Sequence, residues 1–206
     1  MPPIMISLVA FLGNHGKKYE ANRHNVAWLF ADSLSLSLAP TPSWQSKFRG
    51  SYAPFQATGA DGARRVVHFL KPETYMNLSG ESIAEAASFY RVKPDEILVV
   101  HDELELPCGT VSLKWSGGLG GHNGLRSAKA SLGTADFWRL RFGIGRPEHA
   151  DVAAYVLSNF SADERIGLSL AFSAAGGLFE GLLRDGPEGY LREWAKKAVT
   201  DSGKGR

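Results

Sequence analysis

The chain has 206 residues, a formal charge of +2 and a hydrophobic share of 44%, which fits one large domain with an ordinary globular core. A single cysteine, Cys108, excludes an internal disulfide and suits a reducing compartment, and a core of this size needs no metal clip. The apolar start, Met1 to Leu12, lacks the Lys or Arg of a secretory signal and the ~20 apolar residues of a membrane span.

In chain order, Ile4 to Leu12 reads as a buried strand, followed by a polar loop, Gly13 to Lys18. Asn22 to Leu38 is predicted as a helix with Val26, Leu29, Phe30 and Leu34 on one face, ended by Pro40 and Pro42. Phe48 to Gln56 and Arg64 to Leu70 read as two strands joined by the turn Gly59-Ala60-Asp61-Gly62. Ser79 to Tyr90 is predicted helical, with Ser79 as N-cap and Glu81 near the positive end of the dipole. Strands follow at Glu96 to His101 and Thr110 to Trp115. A glycine-rich loop, Gly117 to Gly121, leads into a helix starting near Asn123. Phe137 to Gly145 is a strand, and Ser161 to Arg184 is mostly helical. The alternation predicts an α/β fold: one domain over residues 1–199, a mixed twisted sheet flanked by helices on both faces. Residues 200–206, rich in Gly and Lys, are expected to be a disordered tail.

The polar residues of interest follow strands or begin helices, where ligands gather in open α/β sheets. Asn14 follows the first strand, Asp102 follows Ile97-Leu98-Val99-Val100, and His122 and Asn123 follow the glycine loop. His24 falls in the first turn of a predicted helix, where about half a positive charge disfavours imidazolium. A neutral His24 is a general-base candidate, and Asp102 is the carboxylate to fix its tautomer. The bland alternative is that His24 caps a helix and Asp102 ends a strand. Asn14, Asn77 and Asn123 are neutral donors suited to a carbonyl or an oxyanion, or else ordinary loop and cap residues.

Other chemistries fit poorly. No G-x-S-x-G elbow, Walker A loop or G-x-G-x-x-G fingerprint is present. Cys108 beside Pro107 reads as structural. His101, Asp102, Glu103 and His122 do not make a metal site on this reading, because H-E-x-x-H is absent and adjacent strand residues point apart. Arg139 and Arg141 share one face of a strand, opposite Trp138, Leu140 and Phe142. With Lys114, Arg126 and Lys129 they form either a phosphate-holding cluster or a solvated basic face.

Four blocks in order resemble the bacterial-type peptidyl-tRNA hydrolase family. They are Leu12-Gly13-Asn14 with Tyr19 and Arg23-His24-Asn25; Lys71-Pro72-Glu73-Thr74-Tyr75-Met76-Asn77-Leu78-Ser79-Gly80; His101 to Pro107; and Gly120-Gly121-His122-Asn123-Gly124-Leu125 followed by Phe137 to Gly145. The resemblance implies hydrolysis of the ester joining a peptide to the 3′-terminal ribose of tRNA. It implies that His24 activates water, Asp102 orients His24, and Asn14 holds water or the oxyanion. It further implies that Asn77 and Asn123 position substrate, that Met76 lines the site, that His122 borders it and that Tyr19 contributes to binding. Lys114 and Arg141 match positions used for tRNA phosphates. No metal, cofactor, membrane or stable protein partner is implied; a cytoplasmic monomer is. His15, Phe11, Asn22 and Ser112 depart from the family pattern, Ser112 standing where a second basic residue often precedes Lys114. A non-catalytic RNA binder on the same scaffold would carry an added apolar partner patch, and a small-ester hydrolase would dispense with the RNA. The intact active-site set favours the enzyme.

Overall fold

In a computed structural model, residues 4–147, 151–195 and 197–198 are described; the expected tail, 200–206, lies outside them. The elements are β1 (Leu8–Phe11), α1 (Val26–Ser37), β2 (Gln45–Lys47), β3 (Gly50–Thr58), β4 (Arg64–Pro72), α2 (Ser79–Tyr90), β5 (Ile97–Glu103), β6 (Thr110–Trp115), α3 (Asn123–Leu132), β7 (Trp138–Gly143), α4 (Val152–Val156), α5 (Ala162–Asp185) and β8 (Lys197–Ala198). One eight-stranded sheet runs β2-β3-β4-β1-β5-β7-β6-β8. Its centre, β4-β1-β5-β7, is parallel, and antiparallel pairs extend it on both sides.

The central strands are apolar on both faces because both are covered. Val9, Phe11, Leu98 and Val100 pack towards α1 and α5. The alternate residues Leu8, Ala10, Ile97 and Val99 pack towards α2 and α3. The predicted α/β sheet with helices on both faces is the architecture found. α5 is long and apolar enough to cross a membrane, but Leu168, Ala171, Leu178, Phe179 and Leu182 are buried in the core against the sheet, as in a soluble core helix.

Several boundaries differ from expectation. β1 pairs only over Leu8–Phe11, and α1 starts at Val26 because Arg23–Asn25 form a separate 3-10 turn. Phe48 belongs to a tight turn, not a strand: Phe48 and Arg49 both have positive φ and join β2 to β3. Ser79 does not cap α2. A 3-10 turn, Met76–Leu78, runs straight into the helix, and the Ser79 hydroxyl donates back to the Met76 carbonyl. Ser161 does cap α5, in a capping box with Glu164.

Candidate active site

Residues from five places in the chain meet at the carboxyl ends of the parallel strands. Asn14 follows β1, and Met76 and Asn77 occupy the turn after β4. His24 lies in the 3-10 turn before α1, and His122 and Asn123 open α3. Asp102 is not past its strand, as expected, but on it: β5 continues through Glu103, paired to Phe142 and Gly143 of β7. These seven side chains border a cleft of about 820 Å³, walled on another side by α4. Tyr19, Lys114 and Arg141 lie outside its lining.

Asp102 is the hub. Its Oδ1 lies 2.8 Å from Nδ1 of His24 and 3.0 Å from Nε2 of His122. The tautomers follow from the second nitrogens. Nδ1 of His122 accepts the Gly124 and Leu125 amides at 3.1 and 3.3 Å, so its Nε2 carries the proton towards Asp102. His24 donates its Nδ1 proton to the same oxygen, which leaves Nε2 with a lone pair and no partner among the described residues. Burial alone would push Asp102 up, but His24 and His122, by charge and hydrogen bond, hold its carboxyl well below the usual range. Burial pushes His24 down, and the Asp102 charge and hydrogen bond more than offset it. The net is a His24 raised above the ordinary 6.5, against the sequence expectation of a depressed value. The dipole argument missed the carboxylate, which is closer and carries a full charge.

His24, Asp102 and His122 are close enough together to suggest a metal site, but the donor set does not suit one. The only acceptor nitrogen of His122 is taken by backbone amides, so the ring offers a cation a proton rather than a lone pair. His101, whose Nδ1 donates to the Asp102 carbonyl, is fully buried. Burial and the neighbouring His122 hold it well below 6.5 and therefore neutral.

Asn14 is oriented as tightly. Its Oδ1 accepts the Met76 amide at 3.0 Å, which leaves Nδ2 as the free donor. Its main chain is held by Asn25 in a reciprocal pair, Asn14 N to Oδ1 at 2.9 Å and Nδ2 to Asn14 O at 3.0 Å. Close packing fixes the neighbouring elements. A Cβ on Gly124 would meet Met76 Sδ at 2.6 Å, and one on Gly80 would meet the Ser127 carbonyl at 2.1 Å.

The sequence reading missed what anchors the His24 turn. Buried Arg23 forms a two-pronged pair with Glu164, at 2.6 and 2.9 Å, and donates to Ser158 Oγ at 3.1 Å. Its guanidinium also stacks on Tyr155 and Phe160. The signal lay beside His24 in the same block, but its partner is 141 residues away. The departures from the family pattern fall in different settings. Phe11 is core, Asn22 bridges to Asn159, and exposed His15 lies 3.9 Å from Glu73.

The basic face is less uniform than its alternation suggested. Arg139 is 1% exposed and donates to the carbonyls of Ser116 and Gly118, supporting the glycine loop. Arg141 donates to Glu103 and to buried Ser112. Lys114 has no ion-pair partner among the described residues, and burial together with Arg139 and Arg141 pushes its pKa down.

Residues 8–202 match the peptidyl-tRNA hydrolase family model. The peptidyl-tRNA hydrolase of Treponema pallidum is 55% identical over 157 residues, 75% of this chain and 76% of that protein. That of Geotalea uraniireducens is 42% identical over 181 residues, 88% and 92% of the two chains. The crystal structure of the Acinetobacter baumannii peptidyl-tRNA hydrolase superposes with a TM-score of 0.81 at 32% identity, covering 95% of both chains. The chain belongs to the peptidyl-tRNA hydrolase family.

Proposed function

We propose that the protein hydrolyses the ester between a peptide, or an N-blocked amino acid, and the 3′-terminal ribose of tRNA, through a water activated by His24. The observation that carries this is the His24–Asp102 contact of 2.8 Å, which leaves Nε2 of His24 as the free base at the cleft. Water gives its proton to Nε2 as its oxygen adds to the ester carbonyl carbon. Asp102 stabilises the imidazolium, and Nδ2 of Asn14 donates to the oxyanion or to the attacking water. Collapse breaks the bond to the ribose oxygen, which takes the proton back from His24. Free peptide acid and tRNA leave.

An ester is an activated acyl group, so one base and fixed donors suffice. The reaction as written uses no metal, cofactor or covalent nucleophile. Asn77 and Asn123, exposed at two turns bordering the cleft, hold the peptidyl and 3′-terminal parts, with Met76 beneath and His122 at the border. Tyr19, outside the lining, meets substrate only beyond the cleft proper. Lys114 and Arg141 take RNA phosphates, which fix position without reading sequence. This reading makes the protein a cytoplasmic monomer serving translation, with no stable protein partner and no membrane.

Release of free peptide from an N-blocked aminoacyl-tRNA, with EDTA present, tests it. Wild type is expected to turn over, and His24→Ala to lose ~100-fold or more. Full turnover by His24→Ala sinks the mechanism. Salt-sensitive tRNA binding by a wild type that releases nothing would make the protein an RNA binder instead.

A further inference from the structure

We propose that Glu103 is an internal competitor for the RNA phosphate at Arg141, held where the substrate's anion must go. The inference rests on the reading that Arg141 is a phosphate ligand. Arg141 lies on β7 in register with His101 of β5 and Ser112 of β6, and Glu103 stands two residues further along the same face of β5. Glu103 borders the cleft, and its carboxylate reaches Arg141 on the neighbouring strand.

The Arg141–Glu103 contact is built to be displaced. It is a single approach of 3.3 Å from Nη1 to Oε2. A guanidinium facing a carboxylate ordinarily makes two parallel, shorter bonds, as Arg23 does with Glu164 in this same molecule. Nη2 of Arg141 goes instead to Ser112 Oγ at 2.7 Å, and its Nε is buried with no partner. Arg141 is therefore engaged less completely than Arg23, whose guanidinium is held by two short bonds to one carboxylate. The other oxygen of Glu103 accepts the Glu105 amide at 3.2 Å, so the carboxylate keeps a main-chain partner when Arg141 turns away.

The charge balance points the same way. Burial, and then the neighbouring arginine charges, pushes the Lys114 and Arg139 values down, and Glu103 is the carboxylate that opposes this for both. With Arg139 buried on main-chain carbonyls, Lys114 and Arg141 against one carboxylate leave the patch net positive. The carboxylate's presence on Arg141 lowers the net gain on binding. A hydrolase must release its tRNA product, and a carboxylate that returns to Arg141 assists that departure.

The test is equilibrium binding of uncharged tRNA to wild type, Glu103→Gln, Arg141→Ala and the double variant, across a salt series, with Glu103→Ala alongside should the glutamine variant fold poorly. Uncharged tRNA keeps the measurement independent of hydrolysis. Arg141→Ala is expected to weaken binding and flatten its salt dependence. Glu103→Gln is expected to tighten binding roughly two- to fivefold, the worth of one partly exposed ion pair, with no gain in the Arg141→Ala background. Weakened or unchanged binding by Glu103→Gln overturns the inference, since Glu103 would then position Arg141 or be idle. A gain that survives Arg141→Ala overturns it too, because a general charge effect would explain it. No effect of Arg141→Ala removes the phosphate role on which the inference stands. Loss of hydrolysis alone, with the binding pattern intact, counts against the proposed reaction and not against the competition.

Discussion

Two arginine–glutamate pairs, Arg23–Glu164 and Arg141–Glu103, are made of the same groups and behave as opposites. Arg23 and Glu164 meet through two short bonds, walled by Tyr155 and Phe160, and lock the turn that carries His24. Arg141 and Glu103 meet through one long contact, with a buried nitrogen unsatisfied. On the proposed reaction, the molecule is rigid at the base and yielding at the phosphate site. Catalysis rewards preorganised donors and bases. Phosphate binding is a counterion exchange and gains little from a fixed cation.

The sharpest way to probe the rigid side is Asp102→Asn. It is expected to cut turnover roughly a hundredfold, because the amide no longer fixes the His24 tautomer or stabilises its cation. The sign of the pH effect is also set. The base works unprotonated, so activity falls as pH drops through the folded His24 value, which Asp102 holds above 6.5. Removing that charge lowers the value, so the acid limb of the kcat profile moves to lower pH even as the plateau drops. An unmoved limb would mean that His24 is not the titrating base. Next in size, Arg23→Ala is expected to lower kcat by roughly tenfold through a misplaced His24, with KM much less affected. Arg141→Ala should do the reverse, raising KM by roughly tenfold with a weaker salt dependence and sparing kcat. If both variants moved the same parameter, the contrast between the two pairs would collapse. Smallest is Ser161→Ala, which removes the cap of α5 behind Glu164 and should cost about 1 kcal/mol, read as a shift in denaturant midpoint with little change in kcat.

Much of this was legible in the sequence because it is local. Apolar runs such as Ile97 to Val100 mark strands covered on both faces, and Asn14, His24, His122 and Asn123 sit where a strand ends or a helix begins. What escaped was long-range. Nothing near Phe48 announces that it turns, since the positive φ serves an edge hairpin closed by β2. The edge strands β2 and β8 and the short α4 are too brief to show a period. At the site, Asn14, His24 and Asp102 could be picked out from type and position. That Asp102 serves two histidines, and that Arg139 is buried beneath the glycine loop, depends on residues brought together by the sheet. Electrostatics was the least legible: the helix-end argument for His24 gave the wrong sign, because the controlling charge comes from 78 residues away.

The bond from Arg23 to Glu164 also has a consequence for birth on the ribosome. The histidine turn is made early, and its anchor arrives 141 residues later, in the first turn of α5. Until α5 has emerged and docked, a growing copy holds His24 without the support that aims it. Such a copy is itself a peptide esterified to tRNA, the very bond its finished form cuts. The aim of His24 therefore depends on the docking of a helix remote in sequence, so the site and the sheet's α5 cover are completed together.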